Sequence, residues 1–143
     1  MFLNYFLISL LCFFSPLIGI LLGYNSPEEI RPYKKKFYFL RIIVFWVILA
    51  LFLAFNFKMS YYVTAVLVFG IVVSFLKKSY LDYIFFGLVF ALFNVYLVSL
   101  IFLYGMVEGL IFKSENKKFI LKKYLLNYIW FICASVLLYW FLL

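Results

Sequence analysis

YIFFGLVFALFNVYLVSLIFLYGMV, residues 83–107, runs between Asp82 and Glu108 without a charge and is the longest apolar run in the chain. As one helix it would extend about 37 Å at 1.5 Å per residue. Roughly 20 such residues cross the ~30 Å hydrocarbon core of a bilayer. The run is apolar on every face, whereas a barrel strand would alternate. A helix satisfies its own backbone groups, so it is the default form for such a stretch in lipid. Asn94 sits midway along it, and the apolar character resumes after Glu108 as far as Phe112.

Four more runs flank this one, at residues 2–24, 37–57, 59–76 and 124–143. The first is interrupted by Asn4, Ser9, Ser15 and Pro16, and the second carries Arg41 near its start. Hydrophobic residues make up 70% of the 143 and charged residues 13%. A soluble domain is nearer half apolar and a quarter charged. Disorder is excluded as well, because 21 Phe and 13 Tyr supply far too much burial drive. The expected fold is therefore all-α: a multi-pass transmembrane helical bundle of five hydrophobic segments, forming one integral membrane domain over 1–143. The first run has no basic n-region and no small-x-small cleavage site, so it reads as a retained span and not a signal peptide.

The missing residues narrow the chemistry. The chain has no His, which removes the usual zinc and haem ligands and any Ser–His or Cys–His nucleophile. Cys12 and Cys133 are far apart within apolar runs, where a cysteine reads as a small hydrophobe. No two of the five acids share one apolar run, as paired intramembrane carboxylates would. No Gly-rich phosphate loop is present. No catalytic residue, metal or cofactor is expected. The +8 charge does not point to nucleic acid, because the cations flank apolar runs and form no separate basic domain.

Charge and topology conflict on this reading. With five spans, seven basic residues fall on one face and six plus the terminal amine on the other, so the positive-inside rule gives no orientation. If segment 59–76 is re-entrant and only four runs span, the division becomes ten against three. Both arrangements set residues 25–36 in the cytoplasm and the N-terminus outside the cell membrane. Ser26-Pro27-Glu28-Glu29 predicts a short helical turn, limited by Arg31-Pro32. Ser79 and Asp82 form a second capping box, at the start of the fourth run.

Ser15, Gly19 and Gly23 recur every four residues, the small-residue stripe that lets helix backbones approach closely. Gly105 and Gly109 repeat the spacing. Asn94 and Asn127 are amides inside apolar runs and should face the bundle. Glu108 is an ionisable group at apparent membrane depth, a default functional candidate; an interfacial position beside Lys113 is the plainer alternative. Arg31, Lys34, Lys35 and Lys36, with Lys113, Lys117, Lys118, Lys122 and Lys123, form two basic clusters that fix topology or attract anionic lipid head groups. The expected function is a non-catalytic bundle subunit or scaffold with a membrane-protein partner. A transporter or channel for a small solute, ion or lipid, using Glu108 and Asn94, is the alternative.

Overall fold

The computed structural model describes residues 2–25, 27–56, 61–76, 79–90, 94–111 and 117–142. These form six helices: α1 (Phe2–Asn25), α2 (Pro27–Phe55), α3 (Tyr61–Leu76), α4 (Ser79–Phe90), α5 (Val95–Ile111) and α6 (Lys117–Leu142). The fold is an all-helical bundle.

The run 83–107, read as one span, is two helices. Asn94 marks the break. Its side-chain Oδ1 accepts the Tyr96 N–H at 3.0 Å, and its carbonyl accepts the Val98 N–H at 3.0 Å. That is N-cap geometry, in which the amide satisfies a donor that the first turn leaves open. A continuous helix would have left this amide alone among apolar side chains. Here it starts α5.

The side-chain pairings give each helix its direction. Phe86 packs edge-on against Tyr104, ring centroids 4.6 Å apart, while Tyr83 lies beside Glu108, so α4 and α5 are antiparallel. Arg41 lies over the Tyr104 ring while Phe55 stacks on Tyr96, which makes α2 antiparallel to α5. Gly70 faces Leu49 and Phe85, and the Tyr62 hydroxyl donates to the Leu88 carbonyl at 2.7 Å. Helix α3 therefore opposes both α2 and α4. Ser15 faces Gly105 and Gly19 faces Gly109, so α1 is parallel to α5. Tyr83 lies near Tyr124, and Gly87 meets Phe131 and Ala134, so α6 runs with α4.

Every helix thus reverses the one before it. The α1–α2, α3–α4 and α5–α6 connections belong to one end of the bundle, and the α2–α3 and α4–α5 connections to the other. The Phe55–Tyr96 stack, with centroids 5.9 Å apart, sets the start of α5 level with the end of α2. Residues 61–76 form one unbroken helix, α3, and the reversal that separates six helices from five segments lies between α4 and α5. Five segments become six helices.

Helix α2 continues through Pro32, where the sequence predicted a stop. Proline costs one ladder bond and crowds the carbonyl four residues back. Near the start of a helix, with Glu28 and Pro32 exposed, solvent can satisfy that carbonyl. Pro16 inside α1 is handled differently. It cannot donate to Cys12, and the Ser15 hydroxyl donates to the Cys12 carbonyl at 2.7 Å instead.

The core is aromatic, with Phe52, Phe85, Phe86 and Phe90 sealed from solvent. Two helices, through Leu7–Asn25 and Pro32–Phe55, are long and apolar enough among the described residues to cross a membrane. Helices α3, α4 and α5 are shorter, at 16, 12 and 17 residues.

Candidate functional site

The hairpin of α4 and α5 brings both ends of the fourth run together. Asp82 closes the first turn of α4 and Tyr83 follows it. Tyr104 and Glu108 lie one turn apart on one face of α5, near its end. Arg41 approaches from α2 and Tyr124 from α6, about two turns after its start.

Asp82 is 4% exposed and Glu108 wholly buried. The Tyr104 hydroxyl donates to Asp82 Oδ2 at 2.6 Å, the short distance of a hydrogen bond to a carboxylate. Arg41 Nη2 stands 3.7 Å from the same oxygen, an ion pair longer than a hydrogen bond. The guanidinium carbon is 5.8 Å from the Tyr104 ring centre, within cation–π range. Glu108 lies beside the Tyr83 hydroxyl and within electrostatic reach of Arg41 and Tyr104. One guanidinium, two carboxylates and two phenols therefore share a small buried volume.

Tyr83, Tyr104 and Tyr124 lie near the ends of apolar runs. All three turn inward. Tyr38, Tyr61 and Tyr80 remain exposed. Next to the cluster, Ser15, Pro16, Tyr83, Tyr104, Tyr124 and Tyr128 help line a cavity of about 20 Å³. That is room for about one water molecule. Among the described residues no three His, Cys, Asp or Glu side chains converge as metal ligands.

The residues singled out from sequence divide as follows. Glu108 is in the cluster and wholly buried. Lys113, its alternative partner, lies outside the described residues. Asn127 is buried on α6. Asn94 is half-buried and caps α5, at the opposite end of the hairpin from Glu108. Ser15, Gly19 and Gly23 are buried, the first two directly against α5. Lys34 is half-buried, whereas Lys35, Lys36 and Lys122 are exposed. Arg31, Lys117, Lys118 and Lys123 lie on α2 and α6, their side chains outside the described set.

Sequence reasoning passed over Asp82, Arg41 and Tyr104. Asp82 was given a capping role, yet its carboxylate reaches across to α5; the Ser79 side chain lies outside the described set. A signal existed. Asp82 and Glu108 bracket the same run, and a hairpin makes such bracketing residues neighbours. Arg41 is the one charge within the second run. Comparisons with protein-family models, with curated proteins and with solved structures find no match.

Proposed function

We propose that the chain is a six-span integral protein of the cell membrane and acts as a non-catalytic subunit or scaffold of a larger membrane assembly. Its basic end faces the cytoplasm and its N-terminus lies outside. The observation that carries the orientation is the charge count on alternating helices. Arg31, Lys34, Lys35, Lys36 and Arg41 belong to the α1–α2 end, Lys77 and Lys78 to α3–α4, and the five lysines from Lys113 to Lys123 to α5–α6. Twelve of the thirteen cations thus fall at one end, and Lys58 alone at the other. A single break in the fourth run turns seven against six into twelve against one, the asymmetry that the positive-inside rule expects.

The flanks agree with a lipid environment. Large apolar side chains such as Phe39, Phe75, Val95, Leu125 and Leu137 stand exposed around the bundle. Exposed apolar surface of this extent marks a membrane or partner contact. Helix α4, the shortest at 12 residues, packs against α3, α5 and α6, so its length is supported by protein and not by lipid alone.

The subunit reading rests on how closed the polar centre is. Asp82 is held by Tyr104 and Arg41, and the adjoining cavity admits about one water. Mild solubilisation should bring a stoichiometric partner with the chain; a clean monomer of full stability contradicts the subunit role. A transport reading draws on Glu108, a wholly buried carboxylate beside Tyr83. It predicts liposome flux that Glu108→Gln abolishes; flux indifferent to that substitution removes Glu108 from any pathway. Asn94, the other residue of that reading, caps α5 at the opposite end of the hairpin.

A further inference from the structure

On the outer face of α2, Tyr33, Lys35, Lys36, Phe39, Leu40 and Ile43 line an open groove. Its two ends differ in chemistry. Lys35 and Lys36 stand exposed at one end, and the Lys36 ammonium is held over the Tyr33 ring, 4.9 Å from its centre. From there the groove runs along the helix to Ile43, about 12 Å at 1.5 Å per residue. Its walls are the exposed or part-exposed side chains of Phe39, Leu40 and Ile43. Among the described residues no acidic side chain lines it. A ligand matching this surface must carry a negative head, an apolar chain and a linkage of roughly that reach. It must also be present where α2 enters the hydrocarbon.

We infer that the Lys35–Lys36 groove on α2 is a binding site for one anionic phospholipid, its phosphate between the two ammonium groups and an acyl chain along Phe39, Leu40 and Ile43. The site rests on the membrane reading above, with the basic end in the cytoplasmic leaflet. The charge complementarity sets it apart from an apolar groove on α3, whose lining of Tyr61, Thr64, Ala65, Val68, Phe69 and Val72 includes no cation. Lysine acts here as a point charge on a flexible stem, and the cation–π contact fixes one of the two stems at the rim.

The test is native mass spectrometry of the full chain released from bilayers of mixed phosphatidylglycerol and phosphatidylcholine. The parent should retain one phosphatidylglycerol in preference to phosphatidylcholine. Each of Lys35→Gln and Lys36→Gln should reduce that retention about fivefold, and the double variant about thirtyfold, from the attraction typical of one cation at a membrane surface. Lys122→Gln, an exposed cation at the same end on α6, is the control and should leave retention unchanged. Equal loss in Lys122→Gln would reduce the site to diffuse surface charge and overturn the proposal, as would retention indifferent to Lys35 and Lys36. A chain that fails to enter the bilayers overturns the membrane reading beneath it; a chain that enters without lipid preference overturns only the site.

Discussion

Substituting Gly109 by alanine tests the contact that joins α1 to α5. A Cβ built on Gly109 meets the Pro16 carbonyl oxygen, with the Gly19 Cα and the Ile20 nitrogen each at 3.0 Å. All three obstacles are α1 backbone, which has no rotamer to change. Relief requires the two helices to separate by about 1 Å over the crossing, which loosens the contacts on either side. Overpacking of this kind costs about 1–3 kcal/mol, and the rigid obstacles put Gly109→Ala near the upper figure. Better helix propensity returns about 1 kcal/mol, leaving a net loss of about 2 kcal/mol. Gly70→Ala is the matched comparison. Its Cβ would meet the Phe85 ring at 2.6 Å and the Leu49 methyl at 3.0 Å, buried side chains that can shift by less than a rotamer change but more than helix backbone can. Propensity offsets part of the overpacking cost, and the net loss should be about 1 kcal/mol, smaller than for Gly109→Ala. Thermal unfolding in detergent, followed by circular dichroism at one protein-to-detergent ratio, reads both. Gly109→Ala as stable as Gly70→Ala would refute the account of the crossing.

Tyr104→Phe removes the one hydroxyl seen donating to the buried Asp82 carboxylate and should cost about 1.5–3 kcal/mol; no shift in the unfolding midpoint would deny that bond a stabilising role. Arg41→Met leaves the same carboxylate without its cation and should destabilise by about 2–3 kcal/mol, at the low end for a buried pair because the arginine side chain is 20% exposed. Arg41→Lys should recover only part of this, since an ammonium cannot reproduce the planar contact over Tyr104. Cys133 is exposed on α6 while Cys12 is buried. In bilayers a charged maleimide should react with neither, and in SDS with both; rapid labelling of Cys133 in intact bilayers would set that face of α6 in water.

The helical class was legible from composition alone, because a chain this apolar has few other ways to satisfy its backbone. The small-residue spacing likewise carried structural content: Ser15 and Gly19 sit against Gly105 and Gly109, two stripes that the sequence displayed without saying that they met. The number of helices was not legible. A run apolar on all faces has no periodicity to reveal that it folds back, and a helical turn among apolar residues can be signalled by as little as one asparagine. Reading Asn94 as a cap would have required knowing that a helix starts there. The same omission concealed the ionic cluster. Asp82 and Glu108 stand at opposite ends of the run in sequence and become neighbours only when the run is a hairpin. Pro32 misled in the opposite direction, since a proline close to a solvated helix start interrupts less than one deep inside.

The hairpin is the central claim, and single-cysteine labelling at Val95 tests it most directly. Val95 is 68% exposed at the first turn of α5, next to the α4–α5 connection. In a background of Cys12→Ala and Cys133→Ser, Val95→Cys should react with an impermeant maleimide added outside intact cells, while Lys122→Cys should react only after permeabilisation. If residues 83–107 formed one span, position 95 would lie in the middle of the hydrocarbon. Val95→Cys that stays unlabelled before and after permeabilisation, yet reacts in SDS, would contradict the six-helix topology and the charge asymmetry built upon it.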